Sequence, residues 1–247
     1  MHYETSRFCA DDPIQVPHRF TLKQDIEIAG FFTAILSWGL RKTIINKSLL
    51  LMEMMDNSPY DFIKHHEEGD LQTLEKFKHR TFQPADTLYF IHFLKEFYAE
   101  HQSLEWAFRD ENDEFTGVKN GFIGFRQRFF NSEYALDRTK KHVPTPAKNS
   151  ACKRLNMFFR WMVRSNENNV DFGIWQEFSP RQLYIPLDVH VHRIALQLGL
   201  LTRTKADWTS VELLTDELRK MDADDPVKYD FALFTMGMEQ KNKPFDQ

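Results

Sequence analysis

Cysteine is nearly absent from this chain. The two copies, Cys9 and Cys152, are far apart and form no C-x-x-C pair. A four-cysteine zinc site and a cysteine-held iron–sulfur cluster are therefore excluded, and a reduced, cytoplasmic setting is the simplest expectation. No stretch approaches the roughly 18 uninterrupted apolar residues of a membrane helix. The opening residues, Met1-His2-Tyr3-Glu4-Thr5, lack the basic and apolar regions of a secretion signal. Glycine is scarce, at nine copies. No Walker loop, G-x-G-x-x-G, G-x-S-x-G or H-E-x-x-H occurs, so the nucleotide, hydrolase and metalloprotease chemistries those motifs carry have no foothold here. Long alternating runs and internal repeats are missing too, which leaves nothing to demand a sheet or a solenoid.

What is abundant is phenylalanine, at 23 copies in 247 residues, set in a chain that is 42% hydrophobic and 28% charged. That composition describes a globular protein with an aromatic-rich core. The apolar spacing is helical almost throughout. Thr21-x-x-Gln24 reads as a capping box before a helix carrying Leu22, Ile26, Ala29, Phe32, Ile35 and Leu36. Further helices are expected over Thr43 to Met55, Tyr60 to His66, Leu71 to Lys78, from Pro84 onward, and over Val118 to Phe130. Arg138 to Ser150 reads as a basic loop, Cys152 to Val163 as a strong helix, and Val170 to Pro186 as an irregular connection. Helices then resume at about Val191 to Leu200, Ser210 to Met221 (capped by Thr209 or Ser210) and Pro226 to Met236, where Asp225 caps and Pro226 occupies the first position. The expectation is an all-α chain forming a single domain over residues 1–247. It is drawn as two lobes, about 1–20 plus 150–247 and about 21–149.

The net charge of −4 hides an asymmetry. From Val118 to Ser165 eleven Lys and Arg side chains face only Glu133 and Asp137, so this window carries +9 and the rest of the chain −13. Such a basic face is a footprint for a phosphate backbone, or else a set of cations paired with acids from elsewhere. Lys140, Lys141, Lys148, Asn149, Ser150 and Arg154 are the candidate nucleic-acid contacts within it.

Two residues invite chemistry. Lys153 opens the helix that follows Lys148-Asn149-Ser150-Ala151, a small and polar helix entrance whose N–H groups suit a phosphate. A lysine there is a nucleophile if its surroundings favour the free amine, and otherwise a surface side chain. Asp188 follows Pro186-Leu187 at the start of another helix, where a carboxylate is favoured by the helix dipole and serves as an N-cap. An amine and a carboxylate at two helix entrances are the groups needed to attack an anomeric carbon and to steady the cation formed there. The adjacent His190 and His192 suit phosphate or structural hydrogen bonds better than a metal, because helical spacing turns His190 away from Asp188. No metal and no cofactor are expected. Trp175 and Tyr184, in the irregular connection, are candidates for a pocket wall.

At these residues the chain resembles the helix-hairpin-helix DNA glycosylases, the endonuclease III and 8-oxoguanine glycosylase superfamily. Pro186-Leu187-Asp188-Val189-His190-Val191-His192-Arg193 is similar to that superfamily's Pro-x-Asp-x-His segment. Ala151-Cys152-Lys153-Arg154-Leu155-Asn156 resembles the end of its hairpin, Gly-x-Lys-Thr-Ala-Asn. Phe31 to Lys47, with Trp38 as a further pocket candidate, is similar to its first domain helix, and Tyr229 to Gly237 to its closing helix. The positions of the hairpin's two glycines are held by Asn149 and Ala151, and that of the wedge glutamine by Gly39. The resemblance implies a two-lobed helical fold and a base-excision glycosylase with Lys153 as nucleophile and Asp188 as catalytic carboxylate. His190 and Arg193 join the nucleic-acid contacts. The partner implied is duplex DNA with a damaged base, an oxidised purine by analogy, with or without strand nicking; no membrane and no obligate protein partner are implied. As a whole the chain also resembles an uncharacterised bacterial family known only as a domain of unknown function. The alternatives are a nucleic-acid-binding module without turnover and a structural protein whose Asp188 is only a cap.

Overall fold

The computed structural model describes residues 11–165, 167 and 169–241. Among them no β-strand forms, only an isolated bridge between His79 and Phe82. The chain divides into two compact units and passes from one to the other between Val143 and Pro144. The division falls a few residues before the expected boundary. Pro13–Gln15 and Pro17–Arg19, two short 3-10 turns expected in the carboxy-terminal lobe, belong to the first unit, where they pack on its helices. Residues 1–10 lie outside the described residues.

The first unit holds α1 (Lys23–Leu36), α2 (Arg41–Glu53), α3 (Pro59–His65), α4 (Glu68–Leu74), α5 (Pro84–Glu100) and α6 (Val118–Phe129). Every residue of α1 from Ile26 to Leu36 is buried, so this helix is central and the others pack round it. Its N-cap is Leu22 with no side-chain cap, and Gln24 instead donates to Gln102 O at 2.8 Å. Tertiary contact has therefore displaced the expected capping box. The phenylalanines explain their own number. The Phe31 ring lies 5.6 Å from Phe90 and from Phe125, Phe90 lies 4.8 Å from Phe129, and Phe108 stacks on Phe125 at 4.2 Å. Offset and edge-on rings at such distances add to their burial. Gly124 is required inside α6 because a Cβ there would meet Arg109 O at 2.1 Å. The helix gives up some propensity for that close approach.

Two carboxylates are fully buried in this unit, and both are satisfied. Glu27 accepts from Tyr98 Oη (2.8 Å), Ser103 Oγ (2.5 Å) and Leu104 N (3.0 Å). Asp86, in the first turn of α5, accepts from Gln83 N (2.8 Å), Thr139 Oγ1 (2.6 Å) and Arg138 Nη1 (2.8 Å), with His142 Nε2 at 3.4 Å. Burial would raise the Asp86 carboxyl, but His142, Thr139 and Gln83 outweigh it and hold it at about 2. The folded value lies below the unfolded value near 4. Its contribution, about 2 kcal/mol by linkage, is thus fully present above about pH 4 and is lost as pH falls through about 2. Thermal melts between those limits should show the loss, and Asp86→Asn should flatten the dependence. An unchanged acid slope in that variant would refute this account.

The second unit holds α7 (Lys153–Val163), α8 (Val189–Gln197), α9 (Trp208–Met221) and α10 (Asp230–Lys241), with α8 packed along α10. The irregular connection after α7 folds back on it. Phe172 N donates to Trp161 O at 2.7 Å, and Ile174 N and Trp175 N donate to Met162 O. Trp175 is 2% exposed and lies edge-on to Phe158 and Phe159. It is core, not a pocket wall, because the connection lays it on the apolar face of α7. The cap of α9 is Asp207, which accepts from Ser210 N, rather than Thr209 or Ser210. Asp225 precedes a 3-10 turn, Pro226–Tyr229, with no side-chain cap bond, and α10 starts only at Asp230.

Candidate active site

The site is built from a turn, two helix starts and one buried helix stripe, all within the second unit. Thr145 Oγ1 accepts from Ala147 N and begins the turn, and a single 3-10 turn follows over Pro146–Lys148. Asn149 then adopts the left-handed conformation (φ 54°, ψ 31°), as does Cys152 (φ 48°, ψ 32°), the residue just before α7. Asparagine reaches this region more readily than other side-chain-bearing residues. Ala151, at the second glycine position of the resemblance, is not left-handed; the reversal has moved to Cys152. Asn149 is fixed from α9: its Nδ2 donates to Asp207 Oδ2 at 3.1 Å, and its carbonyl accepts from Trp208 N at 3.3 Å. Asn156 holds the other side of the turn, donating from Nδ2 to Ala151 O at 3.1 Å. These bonds set where Lys153 leaves the turn.

Asp188 arrives along Ile185, Pro186 and Leu187, all buried, with Ile185 N donating to Thr215 Oγ1 of α9 at 3.1 Å. Its two oxygens have different work. Oδ1 accepts from His190 N and Val191 N, both at 2.9 Å, and so caps α8. Oδ2 lies 3.4 Å from Lys153 Nζ. The Lys153 side chain is 36% exposed and that of Asp188 12%. The cap makes the carboxylate rigid, and the pair keeps one edge open to solvent.

Below Lys153 the same stripe of α7 carries Arg160, and Arg164 follows in line as the residue that ends the helix. Spacings of seven and eleven residues bring all three within about 20° of one line at 100° per residue. Four aspartates from four different segments meet them. Arg160 Nε lies 3.3 Å from Asp171, its Nη1 bonds Asp230 Oδ2, and its plane lies over the Phe231 ring at 4.3 Å. Arg164 pairs with Asp171 at 2.9 Å and with Asp225 at 2.8 Å. Among the described residues three cations therefore face four carboxylates, Asp188 included. Burial pushes the Asp230 carboxyl up to about 6 against the pull of Arg160, and the nearby Asp188 charge pushes the same way.

This arrangement corrects part of the basic footprint. Arg160 and Arg164 hold internal acids. Arg126 donates to the carbonyls of Lys140 and Val143, Arg128 to those of Ala107 and Arg109, and Arg138 to Asp86. Lys140 pairs with Asp137 at 2.6 Å, and both it and the exposed Lys141 belong to the first unit. Lys148 is exposed and Ser150 half-buried beside Lys153. Burial lowers the Arg154 guanidinium to about 10, which leaves it charged at neutral pH.

His190 and Arg193, both half-buried, reach α10. The His190 ring lies edge-on to Phe234 of α10 at 6.0 Å, and Arg193 Nη2 donates to Gly237 O at 2.5 Å. Gly237 is needed there, since a Cβ would meet His190 Cβ at 2.8 Å. His192 Nε2 lies 3.1 Å from Arg203 O. Tyr184 packs on Trp208 at 4.9 Å, with Arg219 over its ring, and is tied to α9. Trp38, in the first unit, lies against His79 and His142. Among the described residues no group of three or more His, Cys, Asp or Glu is arranged to hold a metal ion.

Arg160, Arg164, Asp171, Asp225 and Asp230 are the members that sequence reading missed. A signal existed, because an arginine on the buried stripe of a helix requires an acid partner. Which of the many aspartates it takes is not written locally. A family model described as protein of unknown function, DUF2400, matches residues 12–239, and the chain belongs to that family. No curated protein and no solved structure matches it significantly.

Proposed function

We propose that this protein is a base-excision DNA glycosylase, with Lys153 as nucleophile, Asp188 as its carboxylate partner and an oxidised purine as the damaged base. The single observation that carries the reading is the 3.4 Å contact between Lys153 Nζ and Asp188 Oδ2, made by two helix-start residues 35 positions apart. The motif resemblance on either side of each residue points to the same chemistry.

In this mechanism the target nucleotide leaves the base stack, because its anomeric carbon is out of reach inside a duplex. The paired ammonium of Lys153 first gives up a proton, with Asp188 placed to accept it. The free amine then attacks C1′ of the sugar, forming a C–N bond as the bond to the base breaks. The base departs with the bonding electron pair and takes up a proton. Asp188 passes the proton it took from Lys153 to the departing base and, ionised again, steadies the positive charge on the sugar. Opening of the ring gives a Schiff base to Lys153, which water hydrolyses directly or after β-elimination of the 3′ phosphate. Lys148, Asn149 and Ser150, at the turn before Lys153, are placed to meet the backbone phosphates, and such contacts position rather than select.

Borohydride reduction should trap a covalent adduct on duplexes containing 8-oxoguanine or an abasic site, and Lys153→Ala should abolish it. A wild-type chain that gives neither an adduct nor base release across a lesion panel would overturn the reading. Retained, salt-sensitive DNA binding in that event would identify a binding module instead.

A further inference from the structure

We propose that Asp230 is a positioning residue that sets, by its charge, how readily Lys153 gives up its proton. This deepens the glycosylase reading and rests on it for its functional meaning, though not for its test. The geometry is that of one electrostatic unit. Lys153 and Arg160 stand two turns apart on the same stripe of α7, and the carboxylates that meet them, Asp188 and Asp230, stand at the starts of α8 and α10, which pack along each other. The Asp230 side chain is 9% exposed, so its charge acts through protein more than through water.

The charged groups around Asp230 can be assigned. From α7 it faces Arg160 and, further along, Lys153; from α8 it faces Asp188. His190 and Arg193 of α8 are engaged with Phe234 and Gly237 O. Asp171 shares Arg160 with it. In the preceding turn, Asp225 is taken by Arg164 and Lys228 by Asp222. Among the described residues Asp230 is thus the fourth carboxylate against three cations, and burial pushes its carboxyl up to about 6. With Asp230 ionised, the extra negative charge holds the Lys153 ammonium. With Asp230 neutral, that restraint is lifted and the free amine forms at lower pH, while Asp188 and Arg160 stay in place.

The test is competitive labelling of the full chain with acetic anhydride across the neutral to alkaline range, read at Lys153 by mass spectrometry. Asp230→Asn, which keeps the shape and an acceptor for Arg160, should move half-maximal labelling of Lys153 to lower pH by about half a unit to one unit. Asp230→Glu should restore it. Asp225→Asn, in the same network but paired with Arg164, eleven residues along the chain from Lys153, should leave it where it was, which a merely structural loosening would not. If Asp230→Asn does not fold, the coupling is read reciprocally: carboxyl carbon resonances should show Asp230 titrating lower in Asp188→Asn than in wild type. No movement of Lys153 labelling in a folded Asp230→Asn, or of Asp230 in Asp188→Asn, overturns the inference even if the borohydride adduct forms. Movement with neither an adduct nor base release across the lesion panel upholds it and removes the glycosylase reading alone.

Discussion

Arg160→Met should cost about 3–5 kcal/mol and lower the thermal midpoint by roughly 10 °C. The change keeps an apolar stem of similar length, so little packing is lost and most of the penalty is electrostatic. Asp171 and Asp230, whose side chains are 1% and 9% exposed, would lose their shared cation. Asp171 keeps Arg164, whereas Asp230 has no second ion pair among the described residues and would have to take up a proton. The penalty should therefore depend on pH. The folded Asp230 carboxyl already sits at about 6, above its unfolded value near 4. Its contribution is fully present below about pH 4 and falls away as pH rises through about 6. Losing Arg160 extends that fall to higher pH, so the variant should lose more stability at pH 8 than at pH 5. Arg160→Lys should recover only part of the loss, because an ammonium cannot fork to two carboxylates as a guanidinium does. Chemical denaturation of the variants at both pH values reads this directly. A penalty below about 1 kcal/mol would mean that the buried ion pairs on α7 do not hold the unit together.

The second large effect separates the helix cap made by Asp188 from its proposed part in base release. Asp188→Asn should leave stability within about 0.5 kcal/mol of wild type, because asparagine caps a helix as well as aspartate and its Oδ1 still accepts from His190 N and Val191 N. The same change should lower single-turnover base release by about 10²- to 10⁴-fold, since the amide neither takes a proton from Lys153 nor balances the charge on the sugar. Asp188→Ala should lose turnover to a similar extent and also lose about 1 kcal/mol of stability with the cap. Melting and single-turnover measurements on both variants distinguish the roles. If Asp188→Asn turns over like wild type, the carboxylate is a cap and nothing more.

Much of the helical layout was legible in the residues. Periodicity and proline placed α5 at Pro84 and α6 at Val118, and the Lys153 and Asp188 helices within two residues of where they start. These signals are short-range: an apolar repeat every three or four residues, and a cap or a proline beside it. The same short range explains the misses. Thr21 was a sound capping candidate until Gln24 found Gln102 O, 78 residues away. Trp175 lay in a segment without periodicity, which reads as exposed, yet three backbone bonds to Trp161 and Met162 fold that segment onto α7. The contacts of His190 and Arg193 with α10 were equally invisible, because they depend on the close approach of that helix at Gly237.

What the amino-acid sequence determined by itself is the all-helical character, the aromatic core, and the placing of an amine and a carboxylate each at the mouth of a helix. All of these follow from the conformational preferences and spacing of near neighbours. What only the tertiary structure decided is which charges meet. Lys153 finds Asp188, and Arg160 finds Asp230 across 70 positions, because packing α7 beside the starts of α8 and α10 brings them together. Coulomb attraction acts through space and not along the chain, so which of the eleven cations of the basic window take internal partners could not be read until the helices had packed.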